Sequence, residues 1–166
     1  MSARDTSLTG MPLVSAGILL YRVTDGGLEV LLGHPGGPFY SRKDDDSWTV
    51  FKGELDGNED RYAVALREFE EETGHLPPPD ADPIDLGEIV QRGGKHVVAW
   101  ALEGDLDPAE AESNTFDMEW PPRSGRTAAF PEIDRVGWFD LVAARTKIRA
   151  AQRPFLERLE AALASS

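Results

Sequence analysis

Residues 53 to 74 read GELDGNEDRYAVALREFEEETG, and their spacing decides more about this chain than any other stretch. Gly53 is followed six residues on by Glu59, and eight residues after that come Arg67, Glu68 and Phe69, then Glu71, Glu72 and Gly74. No glycine or proline interrupts Glu59 to Thr73, so a helix is allowed there. Asn58 is the expected N-cap, with Glu59 and Asp60 at the positive end of the helix dipole. At about 100° per residue, Tyr62, Ala65, Leu66, Phe69 and Thr73 share one face. Glu68, Glu71 and Glu72 are expected together on the other side, because i, i+3 and i+4 are helix neighbours. Like charges so placed repel each other. Their oxygens suit a hard cation, which makes the segment a candidate metal site for phosphate chemistry. Gly74 is where a left-handed residue would end the helix.

Gly53, Glu59, Arg67, Glu68, Phe69, Glu71, Glu72 and Gly74 together resemble the box of the Nudix hydrolase family. That pattern is Gly, five free positions, Glu, seven free positions, then Arg-Glu-hydrophobic-any-Glu-Glu-any-Gly-hydrophobic. His75 stands at the last, normally aliphatic position, and Leu76 is expected to supply the packing instead. Lys52-Gly53-Glu54 and the Trp138-Phe139 pair also resemble family features, with Phe51 where proline is common. The resemblance covers residues 12–148. It implies an α/β (α+β) Nudix fold, a curved mixed β-sheet sandwiched between α-helices, with the box as a loop–helix–loop beside the sheet.

The resemblance further implies a hydrolase that cleaves a pyrophosphate bond in a nucleoside diphosphate derivative with Mg2+ or Mn2+. Dinucleoside polyphosphates or nucleoside triphosphates are the favoured substrates, and ADP-ribose-like ones remain open. Glu68, Glu71 and Glu72 would hold the metal, with the Lys52 backbone carbonyl as a further ligand. Arg67 would orient the carboxylates and Glu59 would support them, so Glu59, Arg67, Glu68 and Glu71 form the expected catalytic set. The general base is Glu68 or a later residue such as Glu119. Glu54 and Glu70 read as structural or solvated. Two other classes stay open: a Nudix-like nucleotide-binding sensor without catalysis, and an interaction protein with an acidic cation-binding helix. Asp44-Asp45-Asp46 lacks the spaced ligands of an EF-hand.

Composition bounds the rest. A chain of 166 residues suits one domain, with residues 1–11 as a flexible N-terminus and 149–166 as a C-terminal helical segment. There are no cysteines, which excludes disulfides and thiolate chemistry and suits a cytoplasmic location. The run from Leu13 to Tyr21 is too short to span a bilayer. A net charge of −13 argues against nucleic-acid polymers and anionic membranes as partners. It would also repel a polyphosphate, so bound cations and local Lys or Arg must reverse the field at the site. The expected partner is a small nucleotide, bound by a monomer or a homodimer.

Stacking on a base needs an aromatic or apolar face, and phosphate needs Lys or Arg. Phe39, Tyr40 and Trp48 are candidates to flank a base. Arg42, Lys43, Arg92, Lys95, Arg123 and Arg126 are candidate phosphate clamps, and Tyr40, Lys43, Arg123 and Arg126 are the substrate-binding set expected here. His34 and His75 have no partner at zinc-ligand spacing, and His96 reads as a surface residue. Strands are expected at 14–23, 28–32, 48–51, 84–91, 96–102, 115–120 and 136–139, with helices at 141–148 and 154–164 after the box helix. Asp25-Gly26-Gly27 and Gly93-Gly94 mark hairpin turns. Residues 103–125 are irregular and are a candidate substrate loop.

Overall fold

The computed structural model describes residues 13–165, so the reading of residues 1–11 lies outside the described residues. The fold is mixed α+β. β1 (Val14–Thr24), β2 (Gly27–Pro35) and β3 (Phe51–Glu54) lead into α1 (Arg61–Thr73). β4 (Ile84–Val90) and β5 (His96–Glu103) form a hairpin, and β6 (Thr115–Glu119) and β7 (Thr127–Pro131) form another. β8 (Ile133–Asp140), α2 (Leu141–Lys147) and α3 (Arg153–Ala164) finish the chain.

The main sheet runs β4-β5-β1-β2-β8, with β3 also paired to β1. Among the strands of the described residues, only β1 and β5 pair in parallel, so the sheet is mixed. β1 is covered on both faces, which is why it reads as a continuous apolar run. Ile18 and Leu20 pack with Phe51, Val64 and Phe69 under α1. Leu19 and Tyr21 face the other way, onto Phe155, Leu156 and Leu159 of α3. Burying each large apolar side chain contributes about 1.5–3 kcal/mol, and the two layers clamp the sheet between helices. Among the described residues, no helix is long and apolar enough to cross a membrane.

Several local expectations change. The helix begins at Arg61, not beyond Asn58: Asp60 is extended and its carboxylate accepts from Ala63 N at 2.9 Å. Glu59 is therefore outside the helix. The buried stripe of α1 is Val64, Ala65, Phe69, Glu72 and Thr73, with Tyr62 and Leu66 only half-buried. The stripe is rotated because the sheet above meets Val64, and this carries Glu72 inward, away from the solvated side expected for it. β3 starts at Phe51, since Trp48 N is bound to the Lys147 carbonyl and Thr49 pairs with Gly33. Residues 127–131 form a strand that sequence pattern missed; its partner β6 supplies the register. Leu76 is 75% exposed and stands outside the buried core. His75 instead anchors through Nε2 to the Glu110 carbonyl.

Candidate active site

Two glycines bracket the acidic helix for different reasons. A Cβ on Gly53 would collide with the Glu68 carboxylate, so only glycine lets that side chain lie against the strand end. Gly74 takes φ +76° and its N–H closes on the Glu70 carbonyl at 2.8 Å, ending α1. Between them, α1 presents Glu71 outward, Glu68 half-buried against the strand end and Glu72 buried.

The charges are incompletely balanced. Glu72 is only 8% exposed, and its Oε1 accepts from Lys52 N at 3.2 Å. Burial, then the charge of Glu68, pushes its carboxyl well above the ordinary carboxylate range. Burial likewise raises Glu68, with Glu71 adding to it and Arg67 opposing it. Arg67 ties the outer carboxylates: it donates to Glu59 at 2.8 Å and stands 3.9 Å from Glu68 and 4.0 Å from Glu71. Glu59 is held below the ordinary range by Arg67, then by the Asp56 N–H.

A further carboxylate arrives from far along the chain. Glu132, in the turn between β7 and β8, acts on both Glu68 and Glu72 and raises each. The turn is placed by Glu132 N on the Asn114 carbonyl and Gly36 N on the Glu132 carbonyl, both at 2.9 Å. Asn114 N in turn binds the Glu71 carbonyl at 2.8 Å. No spacing in the sequence marks Glu132, because only this chain of backbone contacts brings it beside α1. Glu119, the later base candidate, instead accepts from Gly125 N at 2.8 Å and closes the β6–β7 turn.

Donor chemistry fits a divalent cation: hard oxygens that repel each other, two of them with raised affinity for protons. Among the described residues, no three carboxylate or imidazole groups converge closely enough to make a ready cation cage. The carboxylates share a face rather than a closed site.

The expected substrate residues divide. Tyr40 and Lys43 line a cleft of about 460 Å³ with Arg92 and Arg149. Arg149 donates to the Tyr40 hydroxyl at 3.2 Å, and this hydrogen bond lowers the Tyr40 phenol below its usual value. Sequence reading passed over Arg149, which sits at an ordinary helix junction. Arg123 and Arg126 are elsewhere, in the exposed β6–β7 turn. Trp48 is buried in the core and unavailable to a base, whereas Phe39 is 61% exposed and meets Trp120 edge-on at 5.7 Å. His34 is fully buried, with Nδ1 2.7 Å from Asp134 and Nε2 2.6 Å from the Lys43 carbonyl, so it braces the loop that carries Lys43.

With this geometry in place, the sequence matches the family model described as NUDIX domain over residues 11–159. The chain belongs to the NUDIX family. Solved structures with the same fold include a C. elegans Ap4A hydrolase binary complex, at 22% identity and TM-score 0.66, covering 92% of this chain and 99% of that one. The NUDIX domain of Shewanella oneidensis NrtR complexed with ADP ribose is 17% identical, TM-score 0.63, over 96% of this chain and 93% of that one. A MutT protein from Methanosarcina mazei Go1 is 20% identical, TM-score 0.59, over 93% and 97%. At these identities the likeness speaks to the fold alone. No curated protein matches significantly. Within the NUDIX fold, Gly53, the acidic helix and the Lys52 strand end occupy one continuous region.

Proposed function

We propose that this NUDIX protein hydrolyses a pyrophosphate bond in a nucleoside diphosphate derivative, with Mg2+ or Mn2+ as cofactor. The observation that carries the reading is the crowding of carboxylate charge at half-buried Glu68 and buried Glu72, beside a glycine that makes room for Glu68. Such charge is costly in the absence of a cation and useful with one. Glu68, Glu71 and Glu72 would hold it, with the Lys52 carbonyl as a further ligand. Bound there, a divalent cation neutralises phosphate charge and activates the attacking water.

The remaining roles belong to the chain itself. Arg67 keeps Glu59, Glu68 and Glu71 in register. Glu68 or Glu132 takes the proton from the water, each being near the raised Glu72. Tyr40 and Lys43 hold substrate in the cleft, and Arg123 and Arg126 of the β6–β7 turn bind a part of the substrate outside that cleft. Dinucleoside polyphosphates and nucleoside triphosphates are the favoured substrates, in keeping with the likeness to an Ap4A hydrolase. ADP-ribose-like substrates are the second choice, in keeping with the ADP-ribose complex among the neighbours. The cysteine-free composition suits a cytoplasmic site of action.

The test is a product-release screen over these nucleotide classes with Mg2+, with Mn2+ and with EDTA. Metal-dependent cleavage of one class supports the reading. Nucleotide binding without turnover under every condition replaces it with a sensor.

A further inference from the structure

We infer that the cleft beside the box is a subsite for a phosphate group of the substrate lying outside the cleaved diphosphate, and not a nucleobase pocket. The inference rests on the proposed hydrolase reading for the substrate's other end, and it narrows the substrate class to polyphosphorylated molecules.

Three cations line this cleft from separate segments: Lys43 from the β2–β3 loop, Arg92 from the β4–β5 turn and Arg149 from the α2–α3 junction. The chain carries 30 acidic residues against 17 basic ones, so carboxylates to pair with are plentiful. Lys147, Arg145, Arg22, Arg67 and Lys95 all sit against carboxylates. Among the described residues, Lys43, Arg92 and Arg149 have no carboxylate at ion-pair distance. Asp46 also lines the cleft, but its Oδ1 accepts from Ala150 N at 2.6 Å and so caps the backbone there. Gathering like charges without a counter-ion is unfavourable unless an anion completes the site.

A base would find little to stack on. Tyr40 is the only aromatic residue of the lining, and its ring already has the Lys43 ammonium at 5.2 Å and the Arg149 guanidinium at 5.5 Å. The rest of the wall is polar or small. The cations are also held on braced backbone. Arg149 N donates to the Trp48 carbonyl at 2.9 Å. The fully buried Gln152 ties Val50 N to Gln91. His34 holds the Lys43 carbonyl. Such preorganisation lowers the cost of binding.

One stretch of backbone links the cleft to the box. Trp48, bonded to Arg149, lies four residues before Lys52 on one extended segment, a span of roughly 13 Å at strand rise. A molecule with its diphosphate at Glu72 and another phosphoryl group at Arg149 would bridge that distance.

The experiment is metal-free calorimetric binding to the full chain, in EDTA, of inorganic tripolyphosphate, diadenosine tetraphosphate and ADP-ribose. It compares wild type with Arg149→Gln, Lys43→Gln and Arg92→Gln, each checked for native circular dichroism. Arg92→Gln serves as the variant least able to disturb the fold, because Arg92 is exposed. We expect each variant to weaken tripolyphosphate and diadenosine tetraphosphate by about tenfold, as for one charge-assisted contact, and to leave ADP-ribose within twofold. Equal weakening of all three ligands, or of none, overturns the inference. Loss of tripolyphosphate binding with diadenosine tetraphosphate unaffected also overturns it, and assigns the cleft to a free anion. Turnover with Mg2+ is scored separately: a protein that binds in this pattern but never cleaves keeps the cleft assignment and loses the hydrolase reading.

Discussion

The acidic helix and the cationic cleft are opposite solutions to one problem. Both concentrate charge of a single sign, and both leave it partly unbalanced. In the helix, the charge is local in sequence, and burial and crowding raise the proton affinity of Glu68 and Glu72. In the cleft, cations arrive from three distant segments, and side chains such as Gln152 and His34 spend their hydrogen bonds on holding the backbone there. The contrast teaches that like charges can be gathered by helical spacing or by the packing of distant segments, and that only the first is written in the sequence.

The sharpest way to break the comparison is at the helix. Glu72→Gln or Glu71→Gln should lower kcat roughly a thousandfold with the fold kept, since the lost carboxylate acts on a cation that matters most in the transition state. Near-normal steady-state turnover in both variants would remove the metal assignment. Gly53→Ala should follow, at about a hundredfold in kcat/KM, because its Cβ displaces the Glu68 carboxylate by a steric route alone. Activity within threefold of wild type would show that Glu68 tolerates a new position.

The raised carboxyl of Glu72 predicts a pH effect on stability. Its folded-state pKa lies above its unfolded value, so the stability it contributes is fully present below the ordinary carboxylate range. That contribution is lost as pH rises through its own raised value. In EDTA, the melting temperature of wild type relative to Glu72→Gln should therefore fall from mildly acid to neutral pH, and Mg2+ should restore it at neutral pH. A wild-type–variant difference that stays flat across this range would mean that Glu72 carries no unbalanced charge. The smallest effect tests local structure only. Asp60→Ala removes the observed N-cap and should cost about 1 kcal/mol in chemical denaturation, whereas Asn58→Ala should cost little. The reverse order would restore Asn58 as the cap.

Much of the architecture was legible before any coordinates. The apolar runs at β1, β2 and β5 and the glycine turns between strands correspond to the observed elements. These signals are local and periodic. Edges were harder to read. Asn58 and Asp60 are both good caps, and propensity does not choose between them. β7 has too little alternation to stand out, and its strand character comes from pairing with β6. At the site, the contact of Arg67 with Glu59 and Glu68 was expected from the family resemblance, and Tyr40 and Lys43 do share a cleft. Arg123 and Arg126 stand apart from it. The box spacing carried no trace of Arg149, His34 or Glu132.

By itself, the sequence determined an acidic helix entered by Gly53 and closed by Gly74, with Arg67 among its carboxylates. Those relations follow from a rise and turn per residue that any helix shares. Only the tertiary structure decided that Glu72 is buried, that Glu132 reaches the same face, and that Lys43, Arg92 and Arg149 meet. Such meetings depend on how a strand end, three loops and a helix junction pack against one another. Packing of that kind is set by volume and by backbone hydrogen bonds between distant segments, and it leaves no period in the chain.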